Sequence, residues 1–442
     1  MKNNGTGSRP GPKIIPRANH TLSRADISKN ALKVLYRLHK AGYDAFLVGG
    51  GVRDALLGLH PKDFDVATNA HPEEVRALFN NCRLIGRRFR LAHVRYGREV
   101  IEVATFRATA EENNRYVDAA QDEDGRILRD NVYGSIDTDV WRRDFTCNAL
   151  YYNIADFSIW DYTGGVDAIR DRRIELIGDA EQRLREDPVR MLRAVRFAGK
   201  LDFTIADDVS AGMHELAPLL TNVPAARLFD EFLKLFQGGF AERTFELLWE
   251  YRLFDQLFPD TSAALDQDED YGRFLRAALV STDRRVAADK PVTPMFLLGV
   301  LFWKPVLKLA EQRRAEEKMS ESQAIALSAF ELTGRHQSRI AIPRRFSTPM
   351  RDMLALQPRF LQMKGRRALK LLEHRRFRAA YDFMLLRAEV GQVDPGVAEF
   401  WTGVQSESAA AREKSFGLEG PSGKPRRRRR GKGRRRAPAA RS

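Results

Sequence analysis

Phe46-Leu47-Val48-Gly49-Gly50-Gly51-Val52-Arg53-Asp54, followed nine residues later by Asp63-Phe64-Asp65, decides the reading of this 442-residue chain. The apolar run Ala45–Val48 predicts a short buried strand, and the three glycines break it into a tight turn. Glycine there admits positive φ and lets the backbone approach a ligand, so its N–H groups can point at phosphate oxygens. Asp63 and Asp65 stand two apart in a second strand-like run. Both carboxylates therefore leave one face, while Phe64 and Val66 leave the other. Two such carboxylates repel at neutral pH unless a cation lies between them. Mg2+ suits them, because it takes one or two carboxylates plus substrate phosphates. Alone, a glycine triplet is an ordinary turn and Asp-x-Asp an ordinary loop. Together, with strands on both sides, they point to nucleotidyl or phosphoryl transfer.

The composition, 43% hydrophobic and 30% charged, suits a soluble protein, and the length predicts two or three domains. No apolar run nears the roughly 20 residues of a membrane-spanning helix. Residues 1–20 are polar with no apolar signal segment, and a disordered lead-in is expected there. Cys82 and Cys147 offer neither a disulfide framework nor zinc spacing, which suits a reducing cytoplasm. The net charge of +15 is uneven, since residues 421–442 hold eleven Lys and Arg and no acid. Such a block cannot bury a core and is expected to be disordered. Its plain reading is a solubilising tail. The sharper one is an arm that neutralises nucleic-acid phosphates through Arg426, Arg427, Arg428, Arg429, Arg430, Arg434, Arg435 and Arg436.

Along the chain, Thr21–Ala41 has helical spacing, and Leu91–Tyr96 with Glu99–Thr105 flank Gly97-Arg98 as a hairpin. Short strands alternate with helices to about Gly178, after which strand signals nearly vanish. The expected organisation is an α/β head over 21–178, a helical neck over 179–265 and a helical body over 266–402. A linker and the Arg-rich tail fill 403–442. Helices are expected at Pro188–Gly199, Ala225–Gln237, Glu242–Leu253, Phe274–Val280, Pro294–Glu316, Ser320–Leu332 and Ala368–Val390.

Three further segments carry chemistry. Arg142-Arg143-Asp144 through Asn148 offers guanidinium forks for phosphate. In that segment Asp144 could serve metal or sugar, and Asn148 a ribose; an exposed helix start is the plain alternative. Glu102 is an acid in an otherwise apolar strand, either a third carboxylate of the site or an outward-facing residue. Asp187-Pro188 begins a helix that carries Arg190, Arg193 and Arg196. An Asp with a nearby Arg presents the acceptor and the planar donor fork that read a base edge, although a basic helix face would look the same.

In this order and spacing the motifs resemble the class II branch of the polymerase-β nucleotidyltransferase superfamily. That branch holds bacterial poly(A) polymerases and CCA-adding tRNA nucleotidyltransferases. The resemblance covers roughly Ala45–Gln237 and implies a nucleotidyltransferase head followed by helical domains. It implies two Mg2+ on Asp63 and Asp65, with Gly49, Gly50 and Arg53 on the triphosphate and Arg143 on the incoming nucleotide. Asp187 and Arg190, supported by Arg193 and Arg196, would select the base. Leu84–Val94, with Arg87 and Arg88 beside the growing RNA, resembles the element that sets the poly(A) polymerases apart.

The expected activity is template-independent addition of AMP from ATP to RNA 3′ ends, in mRNA processing. Proteins of RNA degradation or RNA chaperoning are expected partners. One rival is a CCA-adding enzyme with the same chemistry; another is an RNA-binding protein with a retired head. Intact Asp63, Asp65 and Arg143 argue against the latter.

Overall fold

The computed structural model describes residues 11–86, 90–108 and 133–418, which form two compact units. The first takes the described residues up to Asp266, with Leu279–Val292 and Arg335–Ile342. The second takes Gln267–Ala278, Thr293–Gly334 and the described residues from Pro343 onward. The architecture is an α/β head followed by helices. No helix among the described residues is long and apolar enough to cross a membrane.

The head is built on β1 (Lys13–Ile15), β2 (Ala45–Val48), β3 (Asp65–Thr68), β4 (Cys82–Ile85), β5 (Leu91–Tyr96), β6 (Glu99–Thr105), β7 (Leu150–Asn153) and β8 (Ile159–Asp161). Their order across the sheet is β1-β8-β7-β2-β3-β6-β5-β4. β3 and β6 run parallel, and the other neighbouring pairs run antiparallel. β2 lies centrally and is buried at all four residues, so it needs apolar side chains on both faces. Helices α1 (Lys29–Lys40) and α2 (Gly50–Leu56) pack against this strand. Phe46 and Val48 join a core with Ala67, Phe106, Tyr151 and Trp160. Leu47 faces the other way, against the first turn of α2.

The expected hairpin is present as β5 and β6, with Gly97 at φ +65° in its turn. Four expectations need correction. The helix expected from Thr21 starts at Lys29, where Ser28 Oγ accepts the Ala31 N–H at 3.0 Å. Ser23 and Asp26 close a separate capping box around a 3-10 turn before it, which stops the helix from extending backward. The lead-in is not wholly irregular, because β1 pairs with β8 and closes that edge of the sheet. Ala368–Val390 is not one helix: a short turn at Arg366–Leu369 precedes Phe377–Glu389. Between them His374 Nδ1 accepts the Arg376 N–H at 3.1 Å, a local bond that competes with helical pairing.

The chain also stays helical past Gly403, through Pro395–Ser406 and Ala409–Ser415. Asp394 and Ser408 cap these two helices, and Trp401 and Phe416 are fully buried, so hydrophobic burial holds a segment that lacks clear periodicity.

Candidate active site

The register of the sheet assembles the site. Tyr151 pairs with Val48, Val48 with Asp65, Asp65 with Glu102, and Glu102 with His93. Register partners in adjacent strands share a face, so five strands contribute one row of side chains. Asp65 and Glu102 are neighbours in that row. Asp63 precedes β3 in the loop and is not part of the strand as expected, yet the alternation holds: Asp63 and Asp65 are exposed while Phe64 and Val66 are buried. Enclosure by neighbouring atoms, then the Glu102 carboxylate and more weakly Asp63, push the Asp65 carboxyl up to about 6, against an opposing pull from Arg143. This is a carboxylate short of positive charge.

Gly49 turns the chain from β2 into α2 at φ 72° and ψ −138°, a conformation open to glycine. A Cβ built there would stand 3.9 Å from Arg143 Nη1 and 4.0 Å from Asp65 Oδ2. The bare backbone of Gly49 thus lies between the guanidinium and the carboxylate. Arg143 is held by Asp139 Oδ2, which accepts from its Nη2 at 3.1 Å, and by the Tyr151 hydroxyl, which accepts from its Nε at 2.8 Å. Tyr151 in turn donates to Asp139 at 2.9 Å. Asp139 and Tyr151 go beyond the residues expected from the sequence. The one sequence signal for them is that Asp139 stands four residues before Arg143.

Arg53 is enclosed by the fold. Its side chain is 2% exposed, donates to Asp54 at 2.8 Å through Nε, and also donates to Asn148 Oδ1. Lys200 binds the other oxygen of Asp54 at 3.0 Å. Arg53 and Asn148 are therefore joined in one cluster with Asp54 and Lys200. Asp144 is likewise engaged: Arg193 Nε donates to it at 2.6 Å, and its other oxygen accepts the Phe145 N–H at 2.9 Å. Glu102 stands beside Asp65 in the register and lies 3.4 Å from His93 Nε2.

The helix Val189–Leu201 supplies the remaining cations. Arg53, Arg193 and Arg196 lie 5.2, 5.5 and 4.8 Å from the Phe197 ring centre. Burial and then the charges of Arg193 and Arg53 make Arg196 easier to deprotonate, against Glu231 and Asp144. Positive charge is crowded here.

Asp187 and Arg190, expected to present an acceptor and a donor fork to a base, are each held by a different partner. Asp187 accepts both arms of the Arg227 fork, at 2.9 and 2.6 Å. Arg190 donates to the Arg183 carbonyl and, at 3.1 Å, to Glu186. Glu231, one turn after Arg227, lies 3.7 Å from Arg196. One neck helix, Ala225–Phe236, thus holds both ends of the basic segment, and nothing local to residues 187–196 announces it. Arg87, Arg88 and the tail arginines Arg426 to Arg436 lie outside the described residues.

Three family profiles match the chain. The poly A polymerase head domain matches residues 45–175, the probable RNA and SrmB-binding site of polymerase A matches 202–265, and the polymerase A arginine-rich C-terminus matches 317–436. Poly(A) polymerase I of Escherichia coli O6:H1 is 51% identical over 386 residues, 87% of this chain and 83% of that protein. The CCA-adding enzyme of Geobacillus stearothermophilus is 39% identical over 222 residues, 50% of this chain and 52% of that enzyme. Among solved structures, a CCA-adding enzyme in its apo form II has a TM-score of 0.58 at 18% identity, covering 90% of this chain and 88% of that one, a likeness of fold. The chain belongs to the poly(A) polymerase I family.

Proposed function

We propose that the head adds AMP from ATP to RNA 3′ ends without a template, with Asp63 and Asp65 as ligands of two Mg2+ ions. Family membership makes the chain a poly(A) polymerase. The CCA-adding alternative is weaker because its sequence match is 39% over half of the chain, against 51% over 87% for poly(A) polymerase I. The observation that carries the residue-level reading is the row in which Asp65 and Glu102 stand side by side, with Asp63 two residues before.

The donors fit magnesium. They are hard carboxylate oxygens, and burial, with the neighbouring Glu102 and Asp63 carboxylates, raises the Asp65 carboxyl to about 6. Among the described residues no group of three His, Cys, Asp or Glu side chains makes a metal cage. Magnesium sites of this kind take their remaining oxygens from substrate phosphates and water. Bound there, the ions would activate the RNA 3′-hydroxyl and offset charge on the leaving pyrophosphate.

The chain's own residues position and balance charge, which supply most of the catalysis in such transfers. Gly49 leaves room beside Asp65 for a phosphate to approach the backbone. Arg143, fixed by Asp139 and Tyr151, directs Nη1 toward that gap. Arg193 and Arg196, held by Asp144 and Glu231, support the base-selecting residues. Asp187 and Arg190 face the base, each held by its own partner. A site whose reading groups are fixed accepts one base shape.

Arg227→Ala should free Asp187 and erode the preference for ATP over CTP, GTP and UTP more than it slows ATP use. A good bidentate contact discriminates by about 1–3 kcal/mol, so the ratio of kcat/KM values should fall by about tenfold. Single-nucleotide incorporation assays measure it, and unchanged ratios in a uniformly slow enzyme would make Arg227 a purely structural residue.

RNA capture is assigned to the tail. Removing residues 421–442, with their eleven cations, should weaken RNA binding and lower its salt dependence. The slope of log affinity against log salt should drop by about 0.7 for each phosphate that the tail no longer neutralises. Identical slopes for full-length and truncated chains would remove the tail from the RNA site. The match of residues 202–265 to a probable RNA and SrmB-binding site supports RNA as a partner of the neck. Two free, buried cysteines support the cytoplasm as its compartment.

A further inference from the structure

One face of the second unit bears features that its packing does not use. On the helix Glu321–His336, Leu327 and Phe330 stand one turn apart and are 46% and 66% exposed. The Arg351 guanidinium lies 5.6 Å from the centre of the Phe330 ring. Arg351 forms no ion pair among the described residues, so its charge is uncompensated beside an open aromatic face. Arg344 is exposed two turns earlier on the same helix, Arg344–Ala355, and a seven-residue step returns to the same side.

The track continues beyond that helix. Asp352 is 3.0 Å from Arg375, which ties Arg344–Ala355 to the segment 359–378. There burial, and then Arg359, Arg375 and Arg376, hold the His374 imidazole below its ordinary range against the pull of Asp352, the sign of a strongly positive neighbourhood. Residues 343–378 contain eleven Lys and Arg against two acids, Asp352 and Glu373.

A ring beside a guanidinium, with one exposed leucine, is a poor seat for an apolar protein surface, which needs a broad uncharged centre. It suits a single-stranded nucleic acid, whose bases stack on an aromatic face while its phosphates meet the cations. We propose that this face binds the body of a single-stranded RNA, with a base on Phe330 and its backbone along Arg344, Arg351 and Arg375. The proposal rests on the reading of the chain as one that acts on RNA, and it assigns a site apart from the head and the tail.

Full-length protein titrated with a long oligo(A) tests it. Phe330→Ala should bind about fivefold or more weakly with an unchanged salt slope, because stacking releases no counterions. Arg351→Ala should lower the slope by about 0.7. Phe330→Trp should bind as the wild type does, and its added tryptophan fluorescence should be quenched by the RNA. Wild-type affinity in Phe330→Ala, or Phe330→Trp fluorescence unmoved by RNA, overturns the proposal and leaves the face to a protein partner. Failure of the wild-type chain itself to bind oligo(A) would instead overturn the underlying reading.

Discussion

Asp63→Asn and Asp65→Asn chains should fold, bind RNA nearly normally, and incorporate AMP about a thousandfold or more slowly than the parent. Each loses a charged oxygen donor at the ion site while keeping its volume. Losing a metal ligand removes several kcal/mol of transition-state stabilisation, about 1.4 kcal/mol per tenfold. Stability should move the other way. The Asp65 carboxyl lies above its ordinary range, so the folded chain binds its proton more tightly than the unfolded chain does. In magnesium-free buffer, stability from this group is therefore present below the ordinary carboxylate range and is lost as pH rises through about 6. At neutral pH Asp65→Asn should melt no lower than the parent, and the parent alone should gain Tm when Mg2+ is added. Near-normal turnover in either variant with Mg2+ present would remove the ion site from these two residues.

Gly49→Ala should cost about a hundredfold in kcat. Alanine cannot comfortably hold φ 72° with ψ −138°, and such backbone strain costs about 1–3 kcal/mol. Relieving it must shift the turn that sets Asp65 against Arg143, and displacements near 1 Å cost about a hundredfold where positioning drives the chemistry. A steady-state assay at saturating ATP and RNA measures the effect. A variant with parental kcat would mean that the turn is not part of the catalytic geometry.

Much of the head is legible because its signals are local. β2 reads as four apolar residues before glycine, and the hairpin of β5 and β6 as two runs around Gly97. The pairing of Asp63 with Asp65 follows from a period of two that burial of Phe64 and Val66 reproduces. What is not legible depends on partners far away in sequence. A side-chain partner of Arg53 is Asn148, 95 residues on. The partner of Asp187 is Arg227, 40 residues on, whose fork meets both of its oxygens. That Glu102 stands beside Asp65 depends on the parallel register of β3 with β6, which packing sets. The helices past Gly403 escape a reading by periodicity because caps and a buried aromatic cluster hold them.

The central claim is that this site adds adenylate repeatedly to RNA that is not tRNA. The most direct measurement incubates the full-length chain and Mg2+ with a non-tRNA oligonucleotide and each nucleoside triphosphate in turn, and resolves product lengths. The account predicts a long ladder with ATP, little extension with CTP, GTP or UTP, and none with Asp65→Asn. Extension that stops within three nucleotides, or that uses CTP as readily as ATP, would contradict it.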